Sequence, residues 1–155
     1  MMTGREKLFT LAIYGFFRKF QEVSLPDKSG IYFVFCGISN GDGKCSIRRL
    51  IYIGESGCIR NRLSAHEKKD RFENALRDGE RLYYAYTLVS ASECELCEKG
   101  LIKHFAERFP DTLINEKSTK SFATSFDCLQ YVLTGKIPRL FAEEDRSFSV
   151  STGET

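Results

Sequence analysis

Two runs rich in β-branched and aromatic residues lie on either side of the cluster Asn40-Gly41-Asp42-Gly43. The first run covers residues 31–36 and the second covers residues 47–53. Asn-Gly and Asp-Gly pairs adopt the positive backbone angles that tight hairpin turns require, so this stretch predicts a β-hairpin. The pattern constrains the fold strongly, because it fixes an antiparallel pair of strands in the first half of the chain.

Each strand of the predicted hairpin carries a tyrosine, Tyr32 in the first and Tyr52 in the second. Side chains alternate between the faces of a strand, so the even-numbered residues of 32–36 share one face. A turn centred near Asp42 places Tyr32 opposite Tyr52, with both phenols on that face. The segment 38–45 is longer than a two-residue connection, however, and a shift of register would break this pairing.

Further elements follow the hairpin. Ile59 and Leu63, four residues apart, predict a helix, and Arg62 and His66 have the same spacing on the adjacent stripe of that helix. Residues 82–89 alternate well enough to predict a third strand, with Leu82, Tyr84, Tyr86 and Leu88 on one face. The order of elements so far is strand, strand, helix, strand.

A second helix is predicted from Ser92, which forms a capping box with Glu95, to about Phe109. Its inward stripe consists of Cys94, Leu101, Ile102, Phe105, Ala106 and Phe109. Glu98 falls within this apolar stripe, and an unpaired buried charge costs several kcal/mol. The carboxyl must therefore be protonated, paired with a cation or bound to a metal. On helix periodicity alone, a structural salt bridge to Arg62 or another base is favoured over metal binding.

The order and spacing of these residues resemble the motifs of the GIY-YIG endonuclease family. The two tripeptides are Gly30-Ile31-Tyr32 and Tyr52-Ile53-Gly54, and the resemblance covers residues 30–115, more than half of the chain. The residues that match the family's functional positions are Tyr32, Tyr52 with Gly54, Arg62, His66, Glu98 and Asn115. The resemblance implies an α+β fold in which a small three-stranded antiparallel sheet is flanked by helices.

The resemblance also implies a divalent-metal-dependent endonuclease that hydrolyses DNA phosphodiester bonds. Glu98 is the expected ligand of one Mg²⁺ or Mn²⁺, since hard cations can bind through few protein ligands. Arg62 is the expected phosphate clamp, because its charged fork can bind two phosphate oxygens. Asn115 is expected to orient the site, although asparagine also commonly ends a turn.

The general base is left open between Tyr32 and His66. A phenol has an ordinary pKa of about 10, so Tyr32 needs Arg62 or a metal-bound water nearby to ionise, whereas a histidine titrates near neutral pH. The family resemblance favours Tyr32 with His66 in support, and intrinsic basicity favours His66 acting directly. Core packing of the tyrosines and a solvent-facing His66 are the structural alternatives.

A length of 155 residues predicts one domain, expected to span residues 1–141. The apolar run 8–17 is too short to span a bilayer, and basic residues follow it where a signal peptide has its cleavage site, so it predicts an N-terminal helix. Residues 125–133 predict a C-terminal helix. Residues 142–155 are polar and rich in serine, and predict a disordered tail.

Cysteine content and charge complete the expectations. Without a secretory signal, the six cysteines are expected to be reduced and the protein cytoplasmic. Cys94 and Cys97, the one C-x-x-C pair, are expected to be core residues rather than a zinc or redox site.

The charge of the chain is unevenly distributed. Residues 44–71 contain eight bases and three acids, a charge of +5 that suits a phosphate-tracking surface or an ordinary solvated face. The expected partner is DNA and not a membrane, with a homodimer or an accessory DNA-recognition subunit for cleavage at a defined place. A non-catalytic nucleic-acid-binding module on the same fold is the alternative.

Overall fold

The computed structural model of the protein describes residues 4–18, 25–64, 66–115 and 122–153. The strands are β1 Glu6–Arg18, β2 Gly30–Gly41, β3 Lys44–Ser56, β4 Arg81–Leu88, β5 Cys128–Gly135 and β6 Ser147–Ser151. The helices are α1 Ile59–Ser64, α2 Lys69–Asn74, α3 Cys94–Arg108 and α4 Glu143–Arg146. No helix within the described residues is long and apolar enough to cross a membrane.

All six strands form one mixed sheet in the order β3-β2-β4-β1-β5-β6. The pair β1–β5 is parallel, and the other neighbouring strands are antiparallel. The prediction of a small three-stranded antiparallel sheet is therefore wrong. The strands β2, β3 and β4 form the predicted antiparallel part, but β1, β5 and β6 double the width of the sheet.

The predicted N-terminal helix at residues 8–17 is strand β1. Phe9, Leu11 and Ile13 are buried, while Leu8 and Tyr14 are 59% and 50% exposed, so the burial alternates with the period of a strand. An uninterrupted apolar run does not distinguish a buried strand from a helix, which explains the wrong prediction.

The predicted C-terminal helix at residues 125–133 is also wrong. Leu129, Tyr131 and Leu133 of β5 are buried at alternate positions, and β5 pairs with β1. The predicted disordered tail contains α4 and β6, and Val150 of β6 is buried. These segments fold because β1 and β5 offer them a sheet edge and an apolar face, which local composition does not reveal. Residues 154–155 of the predicted tail lie outside the described residues.

The hairpin of β2 and β3 has a tight turn with positive φ at Asp42 (51°) and Gly43 (75°). Two irregularities between Val34 and Gly37 shift the register, so that Tyr32 pairs with Gly54 and Val34 with Tyr52. The predicted pairing of Tyr32 with Tyr52 is therefore wrong by two residues. Both tyrosines nevertheless lie on the same face of the sheet, as predicted.

The sheet separates two apolar clusters. The odd-numbered residues of 31–35 pack with α3 on one face, and the even-numbered residues of 32–36 pack with α1 and α2 on the other, which confirms the predicted alternation of β2. Cys94 and Cys97 are buried in the first cluster, as predicted. The helix α3 begins at Cys94 without a side-chain cap, so the capping box at Ser92 is wrong.

Candidate active site

β3 is an edge strand of the sheet, so helices on both faces can reach its end. Tyr32 and Tyr52 lie on the face that α1 covers, with their ring centroids 6.2 Å apart. Arg62 is in α1, and His66 follows in the loop to α2. Glu98 of α3 completes the group, since its charge acts on both tyrosines. The structure thus brings together the five side chains that the sequence singled out.

Gly54 determines where Tyr32 can lie. A Cβ atom at Gly54 would overlap the ring and the hydroxyl of Tyr32, because the phenol packs directly on the glycine backbone. The register of β2 and β3, which pairs these two residues, produces this contact. Any larger residue at position 54 would displace the phenol from the site.

The hydroxyl of Tyr32 is 2.6 Å from Nε2 of His66. The backbone N–H of Lys68 donates to Nδ1 of His66 at 3.0 Å, so the proton of the neutral ring is on Nε2. Nε2 therefore donates to the hydroxyl of Tyr32. His66 is 6% exposed, which rules out the solvent-facing alternative, and it lies beyond the end of α1 rather than on a helical stripe with Arg62.

Arg62 is the cation nearest in effect to Tyr32. Its guanidinium acts on the Tyr32 hydroxyl and favours the ionised phenol, while its Nη2 donates to Oε1 of Glu67 at 3.1 Å. The side chain of Arg62 is 31% exposed, so part of the cation remains open to a ligand. The phenol oxygen of Tyr32 thus accepts a hydrogen bond from a neutral imidazole and lies within the field of a permanent cation.

Burial acts on both groups of this pair. It raises the pKa of Tyr32 above its ordinary value, although the guanidinium of Arg62 opposes the shift. Burial, together with the nearby charge of Arg62, lowers the pKa of His66 to about 4. At neutral pH, His66 is therefore uncharged. Tyr32 needs additional positive charge nearby before it can ionise.

Glu98 is a half-buried carboxyl group. Burial, and next the charge of Glu55, raise the pKa of Glu98 to about 7, although the backbone of Glu55 opposes the shift. Within the described part of the chain, no basic side chain forms an ion pair with Glu98, because Arg62 pairs with Glu67 instead. The predicted alternative of a structural salt bridge to Arg62 is therefore not formed.

The surroundings of Glu98 fit a divalent cation. The carboxylate of Glu55 is close enough for its negative charge to raise the pKa of Glu98. Neither carboxylate forms an ion pair among the residues that the structure describes. The described residues contain no cluster of three or more His, Cys, Asp or Glu side chains suited to a metal. A cation such as Mg²⁺, which keeps several waters and binds through one or two carboxylates, matches this small set of oxygen ligands.

Asn115 holds the edge of β3. Its Oδ1 accepts from the backbone N–H of Ile53 at 2.9 Å, and its Nδ2 donates to the Ile53 carbonyl at 2.7 Å. The side-chain amide thus pairs with the strand as another strand would. Ile53 lies between Tyr52 and Gly54, so Asn115 fixes the backbone that positions both.

Three contributors to the site were not foreseen: Glu55, Glu67 and Lys68. Glu55 follows Gly54 directly, so its place beside the site follows once the register of β3 is known. Glu67 restrains Arg62, and Lys68 fixes the proton of His66 through its backbone N–H. A backbone donor has no sequence signal, which is why the last role could not be predicted.

The basic residues of 44–71 divide into two groups in the structure. Arg49 pairs with the buried Glu80, and Arg60 donates to the Leu25 carbonyl at 2.9 Å, so both have structural roles. Arg62 and Lys68 lie at the site, and Nζ of Lys68 is 5.8 Å from the centre of the Tyr52 ring. Only part of the predicted positive segment can therefore face a phosphate near Tyr32.

Comparisons with protein-family models, with curated proteins and with solved structures found no match to the chain. The functional inference therefore depends on the chemistry of the cluster around Tyr32.

Proposed function

We infer that the protein is a divalent-metal-dependent endonuclease of the GIY-YIG type, which hydrolyses phosphodiester bonds in DNA. The observation that carries this proposal is the Tyr32 hydroxyl, which accepts a hydrogen bond from His66 and lies under the charge of Arg62, beside the unpaired carboxyl of Glu98. A purely structural tyrosine needs one hydrogen-bond partner and no nearby cation. A donor and a cation that both act on one phenol oxygen favour its ionised form, which is the form a general base requires.

In the proposed reaction, ionised Tyr32 takes a proton from the attacking water. The water oxygen forms a bond to phosphorus, the ester P–O bond breaks, and the leaving oxygen takes a proton from solvent. Arg62 binds the non-bridging phosphate oxygens through the exposed part of its guanidinium. A bound Mg²⁺ or Mn²⁺, held by Glu98 with Glu55 nearby, would supply charge that polarises the phosphate and favours ionisation of the phenol.

The hydrogen bonds of His66 favour Tyr32 as the direct base. Nδ1 of His66 accepts the Lys68 N–H, and Nε2 carries the proton that faces Tyr32, so the neutral ring has no free lone pair for a water molecule. A ring that donates to the phenol oxygen stabilises the phenolate. His66 is therefore assigned to position and stabilise Tyr32.

The alternative is a DNA-binding module that does not cleave. Such a module has no use for a half-buried carboxyl without a cationic partner, because the carboxylate would repel the phosphate backbone. A binding surface equally has no need for an imidazole donor and a cation on the buried phenol of Tyr32. Both features favour catalysis over binding alone.

A nicking assay tests the proposal. Supercoiled plasmid is incubated with the wild type in Mg²⁺, in Mn²⁺ or in EDTA, and with Glu98→Gln and Tyr32→Phe variants shown to be folded by circular dichroism. We expect nicking in either metal and none in EDTA. Tyr32→Phe keeps the ring on Gly54 but removes the base, and should slow nicking by roughly 10² to 10⁴.

Glu95→Gln is the matched control for Glu98→Gln. Glu95 lies on the same helix, its side chain is 78% exposed, and it pairs only with Lys99 of that helix among the described residues. The Glu95→Gln control should nick the plasmid at the wild-type rate. Glu98→Gln should lose both its nicking activity and its Mg²⁺ binding, which is measured by isothermal titration calorimetry. Metal-dependent nicking that survives Glu98→Gln would remove the glutamate from the mechanism, and DNA binding without nicking would favour the non-catalytic module.

A further inference from the structure

A row of three tyrosines crosses the sheet and ends at the candidate active site. Tyr14 of β1 pairs with Tyr86 of β4, Tyr86 pairs with Tyr32 of β2, and Tyr32 pairs with Gly54 of β3. Residues directly opposite on neighbouring strands have side chains on the same face. The row therefore leads from the buried phenol of Tyr32 outward along one face of the sheet.

The outer end of this row is exposed. Tyr14 is 50% exposed, and Leu88, at the end of the neighbouring strand, is 42% exposed. The ring of Tyr14 stacks on Tyr86 with centroids 5.3 Å apart and planes at 24°, and Tyr86 in turn stacks on Phe17 at 5.8 Å. Tyr14 thus has one ring face supported by its neighbours and the other open to solvent.

Position along the row indicates what could cover this open ring face. Strands in a sheet are about 4.8 Å apart, so the backbone of Tyr14 is about 10 Å from that of Tyr32, and the Tyr32 hydroxyl, which lies over Gly54 of β3, is about one strand spacing further away. A ligand whose phosphate is bound between Tyr32 and Arg62 would therefore reach Tyr14 when it extends along the sheet by about one further nucleotide. In a nucleic acid, the group adjoining a phosphate is a nucleoside, and its base is a flat ring of a size that stacks on a phenol.

We propose that Tyr14, supported by Tyr86, is a stacking platform for an unpaired nucleobase of the substrate near the cleaved phosphate. The proposal rests on the proposed nuclease function and narrows its substrate to single-stranded or locally unpaired DNA. A base within a duplex is stacked on both sides and offers no free face to Tyr14. Sheet faces that carry exposed aromatic rings bind single strands in this way, with little dependence on sequence.

The test measures binding without cleavage. Fluorescence anisotropy in EDTA compares a labelled single-stranded DNA oligonucleotide with a duplex of the same sequence. The proteins are the wild type, Tyr14→Ala, Tyr14→Phe and Leu8→Ala. Leu8 is the matched control, because it is an exposed apolar residue on the same strand that lies outside the tyrosine row.

We expect Tyr14→Ala to weaken binding of the single strand by roughly 5- to 100-fold, the range of one lost base stack. Tyr14→Phe keeps the ring and should bind within about twofold of the wild type, and Leu8→Ala should match the wild type. Binding of the duplex should be the same for all four proteins. Equal affinity of Tyr14→Ala and the wild type for the single strand would overturn the platform, as would equal losses for the single strand and the duplex.

The plasmid assay separates this proposal from the proposed function. If the plasmid is nicked in the presence of metal but Tyr14→Ala binds the single strand as tightly as the wild type, the nuclease proposal stands and the stacking platform is wrong. If single-strand binding depends on the Tyr14 ring but neither metal supports nicking, the stacking platform stands and the nuclease proposal is wrong. Absence of single-strand binding by the wild type would also remove the platform.

Discussion

Asp145 and Glu98 are carboxyl groups in two different parts of the molecule, and their surroundings are opposite. Asp145, beside β5 and β6, is fully buried and accepts four hydrogen bonds, from Arg108 Nε (2.7 Å) and Nη2 (3.1 Å), His104 (2.8 Å) and the Ala142 N–H (2.9 Å). Glu98, beside β3, has a second carboxylate acting on it and no cationic partner among the described residues.

This contrast separates a structural carboxylate from a functional one. Burial raises the pKa of Asp145, but the donors around it outweigh burial and hold the pKa below its usual value. For Glu98, burial and a second carboxylate act in the same direction, so its pKa rises to about 7. A carboxylate whose charge is fully matched holds the fold together, whereas one left unmatched is available for a ligand.

The largest difference should appear in stability. Asp145→Asn removes the charge that Arg108 and His104 share, and should lower the free energy of unfolding by about 3 kcal/mol in urea denaturation. Glu144→Gln is the control, since exposed Glu144 contacts the same Arg108 at 3.4 Å and should cost less than about 1 kcal/mol. If Glu98→Gln lowers the free energy of unfolding as much as Asp145→Asn does, the two carboxylates do not differ in their contribution to stability.

The two histidines extend the comparison to catalysis. His66→Gln removes the donor to Tyr32 and should slow plasmid nicking by roughly 10²-fold, about 2.7 kcal/mol, while His104→Gln should leave the rate per folded molecule unchanged. Because the pKa of His66 is lowered to about 4, the plot of nicking rate against pH should show no acid limb at the ordinary pKa of histidine. A limb near pH 6.5 that disappears in His66→Gln would make His66 the direct base.

The pH dependence of stability should reveal Glu98 directly. The pKa of Glu98 is about 7 in the folded protein against an ordinary value of 4.5, so the folded state binds this proton more tightly. The resulting stabilisation is present below about pH 4.5 and is lost as the pH rises through 7. In EDTA, Glu98→Gln should therefore gain about 1–2 kcal/mol relative to the wild type between pH 5 and pH 8, after allowance for solvent screening. A constant difference across this range would mean that Glu98 is not shielded from solvent.

The smallest predicted effect concerns the edge of β3. Asn115→Ala loses both hydrogen bonds to Ile53 and should lower the free energy of unfolding by about 1 kcal/mol, with a few-fold slower nicking as β3 loosens around Tyr52. Asp111→Ala, an exposed change in the same loop, is the control. Loss of activity at unchanged stability would instead indicate that Asn115 contacts the substrate.

Local patterns could predict the part of the fold that contains the site. The turn at Asp42-Gly43 and the alternation of β2 and β4 are short-range signals, and each is present in the structure. β1 and β5 could not be recognised, because each is stabilised by the other across most of the chain, with Glu6 paired to Cys128. An apolar segment of this kind is compatible with a helix until its partner is known.

The site was predictable as a set of residues but not as a geometry. Tyr32, Arg62 and Glu98 were recognisable from their types and spacing. The contact of Tyr32 with Gly54 depends on two irregularities within the hairpin, and the proton position of His66 depends on a backbone N–H. Such details are set by tertiary packing, so residue identities alone do not determine them.

The central position of β1 limits how the molecule can be divided. A fragment of residues 25–115 would carry every side chain proposed for catalysis, yet it would lack the strand that lies between β4 and β5. The outer edge of β4 would then present unpaired backbone groups to other molecules, and such edges template aggregation. A minimal fragment made to test the proposed activity would therefore need to retain the first strand, or to have the exposed edge protected by charged residues or a proline.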